Sequence, residues 1–291
     1  MTFSLTFDII YSLNILSLFD GISCGKVALE RAGVPITEYY ASEIDQHAIT
    51  ISQRHHPEIK QIGNVLNVDY SRLPKIDLLI GGSPCQGFSN AGSGLAFEDS
   101  RSKLFFEFVQ ALVDLEPTYF LLENVKMKQE WVDIITEYVE VPPILINSSL
   151  VSGQNRERYY WTNIPNVGPP ATKRIILKDI LEENPSLIYD PTQKALDKYD
   201  GGRYLNPAYR GQGNRIHDIN KPSPTLCAGS HGYANGYIQY NGRLRKLTPI
   251  ECERLQTLPD NYTDGVSDTQ RYKALGNGWT VDVAAHIFKH I

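Results

Sequence analysis

Cysteine is scarce in this 291-residue chain: the four that occur, at positions 24, 85, 227 and 252, form no C-x-x-C pair, and no histidine stands at ligand spacing from them. That scatter argues against a zinc site or a disulfide framework and for a reduced, intracellular compartment. Long apolar runs are lacking as well, since none approaches the about 20 residues that cross a bilayer. Residues 1–12 carry no basic head and are interrupted by Asp8, so they read as an extension before the first strand and not as a secretory signal. The G-x-G-x-x-G fingerprint is missing, which argues against a nicotinamide or flavin cofactor. An excess of positive charge is missing too: Lys+Arg number 28 against 33 Asp+Glu, for a net charge of -5. Any nucleic-acid partner must therefore meet a local basic surface. What remains, 42% hydrophobic and 21% charged residues, suffices for a substantial core shared between one large and one smaller domain.

The most informative stretch is Asp77-Leu78-Leu79-Ile80-Gly81-Gly82-Ser83-Pro84-Cys85-Gln86. Its apolar run reads as a strand buried on both faces, the signature of a parallel sheet flanked by helices. The run breaks at two glycines and delivers a cysteine where such sheets bind their ligands, outside the carboxyl ends of the strands. Pro84 fixes the backbone just before it. A cysteine taken alone is most often a small buried hydrophobe; the surroundings of Cys85 decide for a nucleophile.

Those surroundings start at residues 13–18, a short apolar strand followed by Phe19-Asp20-Gly21-Ile22-Ser23-Cys24-Gly25 and a helix over 26–32. Strand, glycine turn and helix open a nucleotide-binding βαβ unit. A second strand at 39–42 ends in Glu43, about 20 residues past the turn, where an acid accepts hydrogen bonds from ribose hydroxyls. A helix over 45–55 and an extended segment over 61–65 follow, in which the Asn64 amide offers an adenine edge both donor and acceptor. Residues 86–101, rich in Gly and Ser, read as a loop able to close over a substrate. A helix over 102–115 then leads to a buried strand, 119–122, ending in Glu123-Asn124-Val125. Carboxylates seldom end an apolar strand without a partner. In a doubly wound sheet Glu123 and Cys85 emerge at one edge, bringing acid and thiol into one crevice.

Residues 144–151 and 158–162 read as an antiparallel hairpin, with Gln154, Arg156 and Arg158 spaced by two and therefore on one face of extended backbone. Three long polar side chains on one face suit an anion or a carbonyl oxygen. After the proline-rich 165–170, residues 201–246 place Arg203, Arg210, Arg215, Lys221, Arg243, Arg245 and Lys246 against the single acid Asp218, interleaved with tyrosines. That is the composition of a nucleic-acid surface or of a solvated insertion. Thr248-Pro249-Ile250-Glu251 supplies a capping box, and Gly276-Asn277-Gly278 precedes a terminal helix.

With these fragments in order, the chain resembles the DNA cytosine-5 methyltransferases. The similar motifs are Phe19-Asp20-Gly21, Glu43, Ser83-Pro84-Cys85-Gln86, Glu123-Asn124-Val125, Gln154-Asn155-Arg156-Glu157-Arg158, residues 245–259 and Gly276-Asn277-Gly278. Phe19 to Gly25 and Trp279-Thr280-Val281 look more like the de novo type animal branch than like typical restriction-modification enzymes. Two positions depart from the family pattern: Ser23 replaces the second glycine of F-x-G-x-G, and Asn64 stands where an aspartate is usual.

The resemblance implies an α/β fold with a doubly wound, mostly parallel, Rossmann-like sheet, a catalytic domain over 1–163 and 264–291, and a small target-recognition region over 164–263. It implies Cys85, Glu123, Arg156 and Arg158 as catalytic residues, with Pro84 and Gln154 beside them. It assigns S-adenosyl-L-methionine to Phe19, Asp20, Gly21, Ile22, Ser23, Glu43, Ile44, Asn64, Val65, Ser83, Leu104, Asn277, Gly278 and Trp279. Double-stranded DNA and the methyl donor are the expected partners, with neither metal nor membrane, in a prokaryotic or phage-encoded cytoplasmic protein of open oligomeric state. The same chemistry on transfer RNA and an inactive family member serving as an interaction module are the competing readings. An unrelated cysteine hydrolase would need a histidine partner, which no motif supplies.

Overall fold

The computed structural model describes residues 12–83, 103–185, 190–229 and 234–291. Its main sheet is laid down by β1 (Leu13–Leu18), β2 (Ile36–Ser42), β3 (Lys60–Gln61), β4 (Leu78–Gly81), β5 (Tyr119–Val125), β6 (Ile144–Asn147) and β7 (Glu157–Thr162). Among the described residues the strand order is β3-β2-β1-β4-β5-β7-β6. The first five of these strands run parallel, and β7 lies antiparallel between β5 and β6. The winding reverses between β1 and β4, and at such a switch point the carboxyl ends of neighbouring strands open a crevice.

Alternation along the central strands decides which helices cover which face. Ile15, Leu78, Ile80 and Leu121 point to one side and share a core with Val27, Ala28 and Leu29 of α1 (Cys24–Ala32), Ile51 of α2 (Gln46–His55) and Val283 and Ile287 of a helix near the carboxyl terminus. Leu16, Leu18, Leu79, Phe120 and Leu122 point to the other. There they meet Phe105, Phe108 and Ala111 of α3 (Lys103–Leu115) and Val132, Ile135 and Val139 of α4 (Gln129–Val139). The continuous apolar runs read from the sequence are thus strands covered on both faces.

Beyond β7 come the short α5 (Gln193–Leu196) and a three-stranded sheet of β8 (Ile216–His217), β9 (Tyr237–Tyr240) and β10 (Arg243–Arg245). A two-residue turn at Asn241 and Gly242, φ 51° and 74°, joins β9 to β10, as a twisted hairpin requires. The chain ends with α6 (Pro249–Leu255), α7 (Asp268–Asn277) and α8 (Val281–Phe288), and α8 packs on α1. The capping box holds: Thr248 Oγ1 accepts from the Glu251 amide at 3.1 Å, and the Glu251 carboxylate accepts from the Thr248 amide at 2.8 Å.

Two expectations change. Gly276 and Asn277 close α7, a helix the sequence reading did not contain, instead of forming a free turn before the last helix. The extended segment proposed over 61–65 stops at Gln61, and Val65–Asn67 is a single 3-10 turn. The regions on either side of residue 264 share one core, because Leu177, Leu226, Ile238, Leu247 and Leu255 join the cluster that holds Ile15. Thr263, fully buried, ties this seam by accepting from Arg271 Nε at 3.0 Å and donating to Glu253.

Candidate active site

The turn after β1 is bent by three left-handed residues, Phe19 (φ 58°), Gly21 (φ 60°) and Ser23 (φ 59°). Glycine takes this conformation freely, whereas each side chain there costs about 1 kcal/mol. That is the physical reason for glycine in the second position of the common turn, and Ser23 offsets its absence with its hydroxyl. Ser23 Oγ donates to the Asp20 carboxylate and lies 2.6 Å from Ser52 Oγ. Tyr39 Oη donates to the other Asp20 oxygen at 2.7 Å.

Burial pushes the Asp20 carboxyl up to about 6 from 3.8, against the lowering effect of the Ser17, Ser23 and Tyr39 hydrogen bonds. Between those values the folded chain keeps a proton that the unfolded chain releases. The Asp20 contribution to stability is therefore largest below pH 4 and declines as pH rises towards 6. Asp20→Asn is expected to match the parent near pH 4 and to exceed it by on the order of 2 kcal/mol at pH 7. Urea unfolding of both proteins at the two pH values checks this, and a constant difference between them contradicts it.

Glu43, at the end of β2, fastens this turn. Its Oε2 accepts from the Gly21 amide at 2.8 Å, and its Oε1 from the Ile44 and Asp45 amides at 2.7 and 2.8 Å. Ile44 is 68% exposed beside it. Asn64 uses its Oδ1 to cap the 3-10 turn through the Leu66 amide at 3.1 Å, so that oxygen is engaged locally. Val65 is buried, and Leu104 packs half-buried on the same core as Phe19.

At the exit of β4, Ser83 is buried and receives the Asn124 amide, Nδ2 lying 3.2 Å from Ser83 Oγ and 3.4 Å from its carbonyl. Asn124 was not among the expected site residues, although its place between Glu123 and Val125 marked it. Pro84, Cys85 and the expected loop over 86–101 lie outside the described residues. Opposite this exit, Glu123 on β5 pairs with Arg158 on β7, Arg158 Nε standing 3.0 Å from Glu123 Oε1. Both side chains are about nine-tenths buried. In the register of β5 and β7, Arg158 faces Val125, so the pair is a diagonal cross-strand contact two residues along.

Gly82 shows how closely the groups converge. A Cβ at that position would lie 2.9 Å from Trp279 Nε1 and 3.1 Å from Glu123 Oε2. At Gly25 a Cβ would meet Ile80 and, at 3.7 Å, the Trp279 ring. The Trp279 indole therefore spans the first helix and the exit of β4, next to the Glu123 carboxylate.

Gln154 and Arg156 do not join Arg158 on one exposed face. The backbone turns through a 3-10 segment at Ser148–Leu150, and β7 starts only at Glu157. Gln154 is wholly buried: its Nε2 donates to the Leu255 carbonyl at 2.7 Å and its Oε1 accepts from the Leu226 amide at 3.3 Å. Arg156, also buried, donates to the carbonyls of Leu226, Gly276 and Gly278 at 3.3, 3.2 and 2.9 Å. Burial and the neighbouring Arg158 charge push its guanidinium down to about 10. Arg156 thus braces the chain behind the site through three carbonyls.

The basic surface is smaller than the sequence implies. Arg245 is buried in an ion pair with Glu251, Lys246 is buried, and Arg243 pairs with Asp190. Arg203 and Arg210 stay exposed, and Arg215 lies over the Tyr204 ring at 5.7 Å. A cleft of about 440 Å³ opens against Arg158, lined by Val125, Lys126, Asn147, Asn155, Glu157 and Thr225. Glu30, His56 and Glu58 stand close enough to converge on an ion, and the Lys26 ammonium pairs with both carboxylates there. No helix among the described residues is long and apolar enough to cross a membrane.

The sequence model of the C-5 cytosine-specific DNA methylase family matches residues 13–166 and 171–291. The type II methyltransferase M.NlaX of Neisseria lactamica is 31% identical over 292 residues, covering 93% of this chain and 93% of its own. The methyltransferase EhMeth of Entamoeba histolytica aligns with a TM-score of 0.77 at 18% identity, over 96% of this chain and 98% of that one. DNMT2 of Spodoptera frugiperda aligns with a TM-score of 0.71 at 20% identity, over 96% and 99%. At those identities the two structures speak to fold alone. None of the three is named as a de novo type enzyme, the branch that the Phe19 and Trp279 motifs resemble.

Proposed function

The chain belongs to the C-5 cytosine-specific DNA methylase family and is a DNA cytosine-5 methyltransferase; from that premise we propose that it works through a covalent Cys85 adduct on a flipped-out cytosine. The observation that carries this reading is the buried Glu123–Arg158 pair beside the exit of β4, two residues before Cys85.

S-adenosyl-L-methionine, when bound, supplies an electrophilic methyl group on a sulfonium. The residues at the switch point fit it. The left-handed turn at 19–23 leaves backbone open to a close approach, Glu43 stands at the ribose position, Ile44 offers an apolar face to the adenine, and Trp279 closes the side nearest Glu123. Phe19 and Leu104 add an apolar wall.

Carbon 5 of cytosine is a poor nucleophile in the aromatic ring. Addition of the Cys85 thiolate to carbon 6 breaks the aromaticity and makes carbon 5 enamine-like. Glu123 holds ring nitrogen 3 and the exocyclic amine and favours a proton at nitrogen 3 as charge develops there. Arg158, oriented by its Nε contact to Glu123, stabilises the carbonyl oxygen. Once carbon 5 has taken the methyl group, loss of its proton to a base restores the 5,6 double bond and expels the thiolate. Asn124 fixes Ser83 and with it the start of the segment that carries Cys85. The base must leave the duplex first, at a cost of a few kcal/mol. The small region with Arg203 and Arg210 is the DNA-reading side, and residues 86–101 are assigned to holding the gap. The protein works on DNA inside a bacterial or phage-infected cell.

Labelled S-adenosyl-L-methionine offered with duplex DNA and, separately, with transfer RNA tests this reading. The expected label is 5-methylcytosine in the duplex; label in RNA alone supports the transfer RNA reading, and none in either supports an inactive member.

A further inference from the structure

Gln256, which follows α6, has a wholly buried side chain whose amide uses both donors and both acceptor sites. Its Nε2 donates to the carbonyls of Leu275 at 2.6 Å and Gly278 at 3.0 Å. Its Oε1 accepts from Gln154 Nε2 and from Thr280 Oγ1, both at 2.9 Å. Gly278 and Thr280 flank Trp279, the residue that closes on Gly82. Gln154 leads through Arg156, which shares the Gly278 carbonyl with Gln256, to Arg158 on Glu123. One side chain therefore joins the segment expected to hold the cofactor to the segment expected to hold the base, though these lie about 120 residues apart, as Arg156 bonded to Gly276 and Gly278 shows.

We infer that Gln256 is a positioning residue for methyl transfer, setting the 275–280 segment against the 154–158 segment so that cofactor and base are held in one register. This rests on the methyltransferase reading above. An apolar side chain of the same length would fill the same space, so packing alone does not call for an amide. A buried, fully satisfied polar network holds a single geometry, and a displacement of about 1 Å at a reacting centre costs up to about 100-fold in rate.

The test uses Gln256→Met, similar in length without the amide, and Thr280→Val, which removes one hydroxyl. Calorimetric titration with S-adenosyl-L-methionine and single-turnover methylation of duplex DNA are measured per folded molecule, with DNA affinity alongside. For Gln256→Met the cofactor Kd is expected to rise about 5- to 10-fold and the single-turnover rate to fall about 10-fold, with DNA affinity unchanged. For Thr280→Val both effects are expected at about 2- to 3-fold. A Gln256→Met protein that binds and reacts as the parent does, with only a lower melting temperature, makes the residue merely structural and overturns the inference. If that variant does not fold, parental binding and rate in Thr280→Val overturn it instead. A parent chain that neither binds the cofactor nor methylates cytosine contradicts the functional reading itself, a distinct outcome.

Discussion

Cys85→Ala is expected to bind S-adenosyl-L-methionine and duplex DNA as the parent does while transferring methyl at less than about one ten-thousandth of the parental rate. The size of the loss follows from the substrate. Without addition at carbon 6, carbon 5 stays part of an aromatic ring, and no arrangement of neighbouring charges makes it a nucleophile. Binding survives because the donors and acceptors around the cofactor turn belong to Glu43, Ser23 and the backbone, and the methyl group of alanine takes less room than the thiol. Filter binding and a labelled-methyl assay on one preparation check both halves. Turnover in this variant would remove the nucleophile from the proposal.

Glu123→Gln is expected to lower kcat by about 100- to 1,000-fold with little change in cofactor affinity, because the amide cannot favour a proton at ring nitrogen 3 as charge develops. A second effect accompanies it. Arg158 and Glu123 are both mostly buried, and removing one charge of a buried pair leaves the other uncompensated, at about 3 kcal/mol of stability. Rates are therefore referred to the folded fraction, measured by urea unfolding under assay conditions. A folded Glu123→Gln protein with the parental kcat would assign Glu123 to structure alone.

The strands that build the crevice were legible because a sheet covered on both faces demands uninterrupted apolar runs, and residues 13–18, 78–81 and 119–122 have them. Glu123 was legible for the complementary reason, a carboxylate ending such a run. Arg158 followed from its place on the next strand. Gln154 and Arg156 were misplaced because spacing by two defines a face only on extended backbone, and the chain between β6 and β7 turns through a 3-10 segment into the core. Asn64 does have extended backbone, but nothing in the sequence marks its side-chain oxygen as the cap of the 3-10 turn that follows. Gln256 lies in the 245–259 motif, but its partners lie at positions 154, 275, 278 and 280, so its role shows only in the folded chain. Among the basic residues of the small region, composition could not distinguish Arg203, which is exposed, from Arg245, whose charge answers the buried Glu251. The left-handed φ of Ser23 shows what the departure from the family turn costs, which the sequence alone could only note.

The covalent step can be caught by a duplex in which the target cytosine carries fluorine at carbon 5, since fluorine cannot leave as a proton does and the ring stays bonded to the enzyme. Incubation with S-adenosyl-L-methionine, denaturation and mass analysis of the digested complex are expected to give protein joined to methylated DNA through the peptide containing Cys85. A linkage through Cys24, Cys227 or Cys252, or methylation of ordinary duplex DNA with no trapped complex from the fluorinated one, would contradict a Cys85 adduct.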